Sequence, residues 1–392
     1  MNKREVSIEK PDFDTPVDRR GTFSEKWDKY KGRDILPLWV ADMDFRSPDA
    51  VIQALEQRVA HGVFGYTDPP DELVEVVCAM LWDLYSWSVE PDWIVWLPGL
   101  VSGLNVACRS AGSEGDVIMT AVPIYPPFLT APGHANRQVK TIPMIDRGNR
   151  WIMDLDCLRD TLTPRTSLFL LCNPHNPNGR AFDADELFAL AERFAGNDRI
   201  ICSDEIHCGL ILDPGKRHIP LASLSPEIAA RTITLMAPSK TFNIPGLGCS
   251  FAVISHRPLR KRFRQAMAGI VPPVNLLGFT AALAAYRDSS TWHVALLNYL
   301  RENSLLVEET ISCLPGLSMH SVEATYLAWI ETRPTGLKDP AAFFEKAGVG
   351  LSDGKYFGEP GFVRLNFGCP RSILQDALRR MTKAMDTLAI KQ

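Results

Sequence analysis

Short apolar runs of strand length alternate with amphipathic segments through the middle of the chain. The segment DADELFALAERFAG at 183–196 has apolar residues at helical spacing and lies between two of these runs. Strands that are apolar throughout and separated by helices are typical of a sheet buried on both faces. The pattern therefore predicts an α/β domain with a mostly parallel sheet flanked by helices. The runs lie at 116–122, 166–172, 199–204, 232–237 and 249–255.

The pattern changes beyond about residue 280. A long helical pattern over 280–314 is followed by two segments of strand length, 324–331 and 361–368, and by a terminal helical pattern. This order predicts a second, smaller α+β domain, and the segment ILPLWVADMDF at 35–45 is expected to cross between the two domains. The predicted division is an N-terminal segment over 1–45 that joins the small domain, a large domain over 46–280 and a small domain over 281–392.

Length and charge exclude several classes of function. The chain has 392 residues and a formal net charge of −4, so it has neither the basic balance of a nucleic-acid-binding protein nor a polybasic membrane patch. No apolar run approaches the roughly 20 residues that a membrane-spanning helix needs. The first twenty residues are polar and predict no secretion. These observations predict neither a nucleic-acid nor a membrane partner.

The nine cysteines are scattered singly, with no C-x-x-C pair. Several lie inside apolar runs such as LFLLC and IICSDE. Buried free thiols of this kind are typical of a reducing compartment, and they predict neither a disulfide framework nor a zinc site. We therefore expect a cytoplasmic protein without a metal.

Three of the apolar runs end in polar side chains. Ligands of parallel sheets gather at the carboxyl ends of the strands, so these side chains are candidates for a common site. The turn WLPGLVSGLN at 96–105 precedes a helix, and its backbone amides could hold a phosphate. The polar side chains are Asn173, Asp204 with His207 three positions later, and Ser239 with Lys240.

Each of these features alone has another interpretation. Asp204 could be the magnesium-binding acid of an ATPase, but the chain has no G-x-x-x-x-G-K-[ST] loop. The segment GLGCSF at 246–251 lacks the third glycine of a dinucleotide-binding motif. His207 and Cys208 could bind a metal, but no second pair accompanies them, and a lone buried histidine is more often a hydrogen-bonded core residue.

Taken together, in the order phosphate turn, asparagine, aspartate and lysine, the features resemble the fold-type I pyridoxal-phosphate enzymes of the class I and II aminotransferase superfamily. Within it the sequence is most similar to the cystathionine β-lyase group of C–S lyases, over nearly the whole chain. The segments that carry the resemblance are LPLWVADMDF, GVFGYT, VPIYPPF, NPHNPNGR, SDEIHCGL, SKTFNIPGL and FVRLNFGCPRSIL.

The resemblance implies roles around the cofactor ring. Lys240 would bind the cofactor covalently and, once displaced by substrate, act as the base on the substrate Cα. Asp204 would keep the pyridine nitrogen protonated, Asn173 would donate to the phenolic oxygen, and Tyr125 would stack on the ring. His207 falls where many members have a tyrosine that contacts the same oxygen. The alternatives are structural: a packed surface lysine, a helix-capping aspartate, an Asx turn at Asn173, core packing for Tyr125 and a histidine that braces Asp204.

The resemblance also implies where the phosphate binds. The amides of Leu100, Val101 and Ser102 would hold it with the help of Ser239, and Tyr66 would reach it across the interface of a homodimer that shares its active sites. The chain departs from the usual pattern at two positions, since alanine stands at 237 and glycine at 248, where many members have serine and arginine. The backbone and the tyrosine are therefore expected to contribute more of the phosphate contacts.

Substrate binding and reaction are also expectations from the resemblance. Arg364 would bind the substrate α-carboxylate together with Asn173, because a planar guanidinium suits bidentate contact; the alternative for Arg364 is a structural salt bridge. The predicted reaction is β-elimination from L-cystathionine or related S-substituted L-cysteines, which gives a thiol, pyruvate and ammonia. Transamination with a 2-oxo acid and a regulator-binding role remain alternatives. Specificity is expected from the loop after residue 45 and from 269–278.

Overall fold

The computed structural model describes residues 11–148, 150–196 and 198–389. Its strands form an eight-stranded sheet and two small sheets of two and three strands. The strands are β1 (Leu36–Pro37), β2 (Ile94–Leu97), β3 (Val117–Val122), β4 (Gln138–Asp146), β5 (Trp151–Met153), β6 (Thr166–Cys172), β7 (Ile200–Asp204), β8 (Thr232–Met236), β9 (Ser250–Val253), β10 (Leu327–Glu331), β11 (Val349–Gly350), β12 (Ser352–Asp353) and β13 (Phe362–Asn366).

Helices cover the sheets and connect their strands. They are α1 (Glu25–Asp28), α2 (Asp49–Ala60), α3 (Asp71–Tyr85), α4 (Leu100–Ser110), α5 (Pro127–His134), α6 (Leu155–Thr161), α7 (Ala184–Arg193), α8 (Pro226–Ala229), α9 (Arg257–Met267), α10 (Leu276–Asp288), α11 (Ser290–Ser312), α12 (Pro340–Lys346) and α13 (Arg371–Ala389). Among the described residues, none of these helices is long and apolar enough to cross a membrane.

The large sheet has the strand order β2-β9-β8-β7-β6-β3-β4-β5. Its centre is parallel, since β8, β7, β6, β3 and β4 pair in parallel with one another, which confirms the predicted α/β fold with a mostly parallel sheet. The run at 249–255 forms β9, which pairs antiparallel with β8 and β2. The prediction of a mostly parallel sheet left room for such a strand, and the chain reverses direction between β8 and β9.

The continuous apolar character of the central strands follows from their position between two layers. In β6, Leu168, Leu170 and Cys172 pack into one apolar cluster, whereas Phe169 and Leu171 pack into another. Successive side chains of a strand point to opposite faces, so a strand that is covered on both faces is apolar at most positions. The hydroxyl of Thr120 inside β3 is buried and donates to the carbonyl of Leu170, whereas the charged Asp204 stands at the end of β7.

The long helical pattern over 280–314 consists of two helices. α10 ends at Asp288 and α11 begins at Ser290. Ser289 between them leaves the helical conformation, and its hydroxyl donates to the carbonyl of Ala284 at 3.0 Å. Serine hydroxyls compete with the backbone ladder in this way, which explains a break that apolar spacing alone does not reveal.

The N-terminal segment packs with the C-terminal part of the chain. β1 pairs in parallel with β11, and β10, β13 and β12 form an antiparallel sheet. Side chains from both parts, including Leu38, Met43 and Leu365, belong to one apolar cluster. The exact domain boundaries stay predictions.

Candidate active site

A cleft of about 880 Å³ opens at the carboxyl ends of β6, β7 and β8. This is the edge at which ligands of open α/β sheets bind. The cleft is also lined by the N-terminal segment, the first turn of α4, α12 and β13. The predicted site residues that line it are Lys240, Asp204, His207, Tyr125, Leu100, Val101, Ser102, Ser239 and Arg364.

Lys240 follows β8 by four residues and points its amine into the cleft. Its Nζ donates to the carbonyl oxygen of Ala41 at 2.5 Å. Burial lowers the pKa of Lys240 to about 8; the charge of Asp42 opposes this change, Arg364 adds to it and Asp204 opposes it. A lysine with this pKa is partly uncharged near neutral pH and can act as a nucleophile or base.

Asp204 is the last residue of β7 and is buried. Burial raises the pKa of Asp204 to about 7, although its Oδ1 accepts a hydrogen bond from the Ile206 amide at 3.1 Å. Among the described residues, no cation lies within ion-pair distance of this carboxylate. A buried carboxylate without a cation is costly, so the arrangement favours a ligand that brings a positive group to Asp204.

His207 is buried one turn beyond Asp204 and lies with its ring centroid 6.1 Å from that of Tyr326. Burial lowers the pKa of His207, and the charges of Lys240 and Arg364 lower it further, so the imidazole is neutral. Its Nδ1 has no hydrogen-bond partner among the described residues. His207 therefore does not brace Asp204 through this nitrogen, and the residue lines the cleft.

Arg364 lies on β13 and is buried. Its Nη1 donates to Oδ1 of Asn176 at 2.8 Å, its Nη2 donates to the carbonyl of Trp39 at 2.8 Å, and its guanidinium carbon lies 4.7 Å from the ring centroid of Phe357. Burial lowers the pKa of Arg364 to about 10. No carboxylate pairs with it in the described part of the chain, so the alternative of a structural salt bridge is not supported and the cation is available to an anion.

The first turn of α4 forms the far wall of the cleft. Gly99 precedes the helix and provides no side-chain cap, so the amides of the first turn have no partner within the helix. Apart from its chain neighbours, no atom lies within 4 Å of where a Cβ of Gly99 would stand, so there is open space at the start of the helix. Ser239 lines the same cleft. Unpaired amides and the positive end of a helix favour a phosphate.

Two predicted tyrosines differ in position. Tyr125 is 36% exposed and lines the cleft; burial raises its pKa, Arg364 opposes this, and the charges of Asp204 and Glu25 add to it. Tyr66 is fully exposed in the connection between α2 and α3 and does not line the cleft of its own chain. A role for Tyr66 at this site therefore requires a second copy of the chain.

The position of Asn173 corrects one expectation. Its Nδ2 donates to the carbonyl of Ile219 at 3.3 Å and its Oδ1 accepts from the amide of Phe182 at 3.2 Å, so its side chain braces neighbouring loops. The asparagine of the same turn that lines the cleft and contacts Arg364 is Asn176. The motif NPHNPNG contains two Asn-Pro pairs, and the sequence offered no means of choosing between them.

The sequence also missed a backbone contact. The carbonyl of Ala41 accepts hydrogen bonds from both Lys240 and the hydroxyl of Tyr326, the latter at 2.9 Å. The segment 39–45 thus presents carbonyl oxygens to the cleft, and the quoted motif LPLWVADMDF marked this segment without indicating such a role. Among the described residues, no group of three His, Cys, Asp or Glu side chains could hold a metal ion.

Comparison with known proteins identifies the family. Residues 33–381 match the family model for aminotransferase class I and II. The chain belongs to this family. The match spans both the large sheet and the C-terminal part of the chain, and it confirms the resemblance found in the sequence.

Members of the family with similar sequences include lyases. The chain is 37% identical to cystathionine beta-lyase PatB of Bacillus subtilis (strain 168), over 95% of this chain and 99% of that protein. The chain is 48% identical in sequence to OvoB, and the crystal structure of OvoB matches its fold with a TM-score of 0.93, over 95% of this chain and 99% of that one. The PLP-bound C-S lyase from Staphylococcus hominis is 30% identical with a TM-score of 0.89, over 95% of this chain and 98% of that one.

The cleft of this chain fits the same cofactor, pyridoxal 5′-phosphate. The buried Asp204 lacks a cation and the pyridine nitrogen of the cofactor can supply one. The amine of Lys240 suits the aldehyde, and the open space before the amides of α4 suits the phosphate. Each functional group of the cofactor therefore has a complementary protein group in one cleft.

Proposed function

We propose that the protein is a pyridoxal-phosphate-dependent C–S lyase that acts on L-cystathionine or related S-substituted L-cysteines by β-elimination. One substrate molecule and one water give a thiol, pyruvate and ammonia. The observation that carries the proposal is that Lys240, Asp204 and Arg364 meet in one cleft of a chain 37% identical to a cystathionine β-lyase.

The residues divide the binding of cofactor and substrate between them. Asp204 would hold a proton on the pyridine nitrogen, Asn176 and His207 would contact the ring, and Tyr125 would stack on it. The amides of the first turn of α4 would bind the phosphate with Ser239. When bound, pyridoxal phosphate supplies the electron sink that stabilises negative charge at the substrate Cα.

Lys240 and Arg364 would act on the substrate. Arg364 binds the α-carboxylate through its planar guanidinium and fixes the Cα proton towards the amine of Lys240. Lys240 removes this proton, which the pKa of about 8 allows near neutral pH. The Cβ–S bond then breaks and the electron pair leaves with sulfur. A thiolate is a good leaving group because the pKa of a thiol is about 8.5.

We further propose that the active site is completed in a homodimer. Tyr66 and its neighbours Val63 and Phe64 are all well exposed within one chain. A contiguous exposed apolar segment of this kind favours coverage by a protein surface. Sedimentation of the cofactor-bound protein tests this proposal, and a monomer at all concentrations would contradict it.

A cytoplasmic location is proposed from the cysteines. All nine thiols are free, and most of them are buried. Free thiols persist in a reducing compartment.

The test is a spectrum of the purified protein followed by a pyruvate assay with L-cystathionine alone. We expect the yellow absorbance of bound cofactor and pyruvate without any added 2-oxo acid. Lys240→Ala should lose the covalent attachment and slow pyruvate formation at least about 100-fold. Lys31→Ala, an exposed lysine outside the cleft, is the matched control. A colourless protein would refute the proposal, and pyruvate that forms only with a 2-oxo acid would indicate an aminotransferase.

A further inference from the structure

The cleft extends beyond the reactive amine of Lys240. Its outer part is lined by Glu25, Lys29 and Trp39 of the N-terminal segment and by α12. A volume of about 880 Å³ is near the upper end of the range of small-molecule sites, about 300–1,000 Å³. With the cofactor and the cysteine part of a substrate beside Lys240, this outer part would be available to the sulfur substituent.

Several charges of the outer wall already have partners. Arg33 pairs with Glu345 at 2.8 Å, and Lys355 pairs with Asp353 at 2.7 Å. The opposite charges of each pair balance one another, so these residues line the wall without favouring a charged ligand.

Glu25 and Lys29 are different. In the described part of the chain neither side chain makes an ion pair. The Nζ of Lys29 lies 4.2 Å from the ring centroid of Trp39 and 5.0 Å from that of Tyr30, which holds the ammonium beside the cleft. Glu25 lines the same cleft as Tyr125, and its negative charge adds to the rise in the pKa of that phenol that burial causes.

The spacing of the two charges suits a ligand that carries both signs. Glu25 and Lys29 are four residues apart, a spacing that places helical neighbours on the same face, and α1 ends immediately before Lys29. One negative and one positive group in the same wall would each gain a partner from a zwitterion. A purely aliphatic substituent would offer a partner to neither charge.

We infer that Glu25, Lys29 and Trp39 form a leaving-group subsite for a thiol that carries both an ammonium and a carboxylate. The inference rests on the proposed lyase function. Glu25 accepts hydrogen bonds from the ammonium, Lys29 donates to the carboxylate, and Trp39 packs against the intervening carbon chain. The substrate class is therefore S-conjugates of cysteine whose departing thiol is itself an amino acid, of which L-cystathionine is one.

This assignment moves specificity away from the segments expected from the sequence. Among the described residues that line the cleft, none belongs to the loop directly after residue 45 or to 269–278. In the sequence those two segments offered no pattern of charged residues, whereas the N-terminal segment places Glu25 and Lys29 in the cleft wall.

Four substrates test the roles of Glu25 and Lys29 separately. L-Cystathionine carries both groups on its leaving thiol, S-(2-aminoethyl)-L-cysteine the ammonium, S-(2-carboxyethyl)-L-cysteine the carboxylate, and S-propyl-L-cysteine neither. For Glu25→Gln we expect kcat/KM to fall about fivefold to thirtyfold on the first two only, the size expected when one charged hydrogen-bond partner is removed. For Lys29→Gln we expect the same fall on L-cystathionine and the carboxyethyl compound only.

Exposed residues outside the cleft provide matched controls. Lys31→Gln and Glu56→Gln make the same charge changes and should leave kcat/KM unchanged on all four substrates. Equal losses on every substrate, or no loss on any, would overturn the subsite while leaving the lyase function intact. If none of the four substrates gives pyruvate with the unmodified protein, the proposed function fails and the subsite with it.

Discussion

Replacing Lys26 by methionine tests how firmly the N-terminal segment is fixed beside the cleft. The side chain of Lys26 is 0% exposed and that of Asp44 is 1% exposed, and Nζ lies 2.8 Å from Oδ2. The ammonium also donates to the carbonyl of Asp42 at 3.1 Å. Methionine keeps most of the apolar stem of lysine, so Lys26→Met removes the charge and its hydrogen bonds with little change in volume.

The contacts that remain on Asp44 set the expected magnitude. Removing one partner of a buried ion pair costs about 3–5 kcal/mol because the other charge stays buried. Arg19 still donates to Oδ1 of Asp44 at 2.7 Å and Trp27 still donates to it at 2.9 Å. The carboxylate therefore keeps part of its compensation, and we expect the lower end of that range, about 3 kcal/mol.

The assay is urea unfolding of the cofactor-bound protein, followed by circular dichroism, for Lys26→Met, Asp44→Asn and the double variant. The double variant should be more stable than the sum of the single changes by about 1–3 kcal/mol, because it leaves neither charge unpaired. Lys31→Met removes an exposed lysine outside the cleft, five residues away, and serves as the control. A loss below about 1 kcal/mol for Lys26→Met, or additive losses, would refute the reasoning.

The pH dependence gives an independent check. Burial alone would raise the pKa of Asp44, but Lys26, Trp27 and Arg19 hold it below its usual value. In the unmodified protein this stabilisation is present above the pKa of an unfolded aspartate and is lost as the pH falls through the lowered value. In Lys26→Met the pKa of Asp44 should rise, so protonation removes the unpaired charge and the difference in stability shrinks in acid. A difference that stays constant with pH would contradict this account.

Two further predictions concern the cleft itself. The apoprotein should recombine with pyridoxal phosphate faster as the pH rises through about 8, where the amine of Lys240 loses its proton. Asp42→Asn removes a charge that raises this pKa, so the midpoint of the rate against pH should move to lower pH. An unmoved midpoint would show that Asp42 does not influence the pKa of Lys240. Arg364→Lys replaces a bidentate partner by a point charge and should raise KM for S-substituted cysteines about tenfold or more with a smaller change in kcat; an unaltered KM would show that the α-carboxylate binds elsewhere.

The centre of the large sheet was predictable because β3, β6, β7 and β8 are buried over almost their whole length. The apolar clusters on both sides of β6 accept alternate residues, so a continuous apolar run was the only pattern compatible with that position. The same pattern contains no information on direction, so it did not single out β9 as the antiparallel strand. The direction of a strand depends on the connection that leads into it, not on the apolar residues of the strand itself.

The site was predictable where chemistry resides in a side chain at a strand end. Asp204 ends β7 and Lys240 follows β8 by four residues, and the fold brings both into the cleft. Asn176 was missed in favour of Asn173 because both precede proline, and only the three-dimensional turn shows which amide reaches Arg364. Glu25 was missed because a glutamate in a polar segment looks like any solvated surface charge.

The contacts of the segment 39–45 explain why this part of the site lies beyond sequence reasoning. Its backbone carbonyls accept hydrogen bonds from Lys240 at Ala41 and from Arg364 at Trp39. Every residue has a carbonyl, so the letters of the sequence do not distinguish these acceptors from any others. What makes them specific is that buried side chains fix the segment: Nδ2 of Asn366 donates to two of its carbonyls, and Lys26 holds a third contact at Asp42. The amine and the guanidinium are therefore oriented by the same segment, and a change that loosens it should affect both groups together.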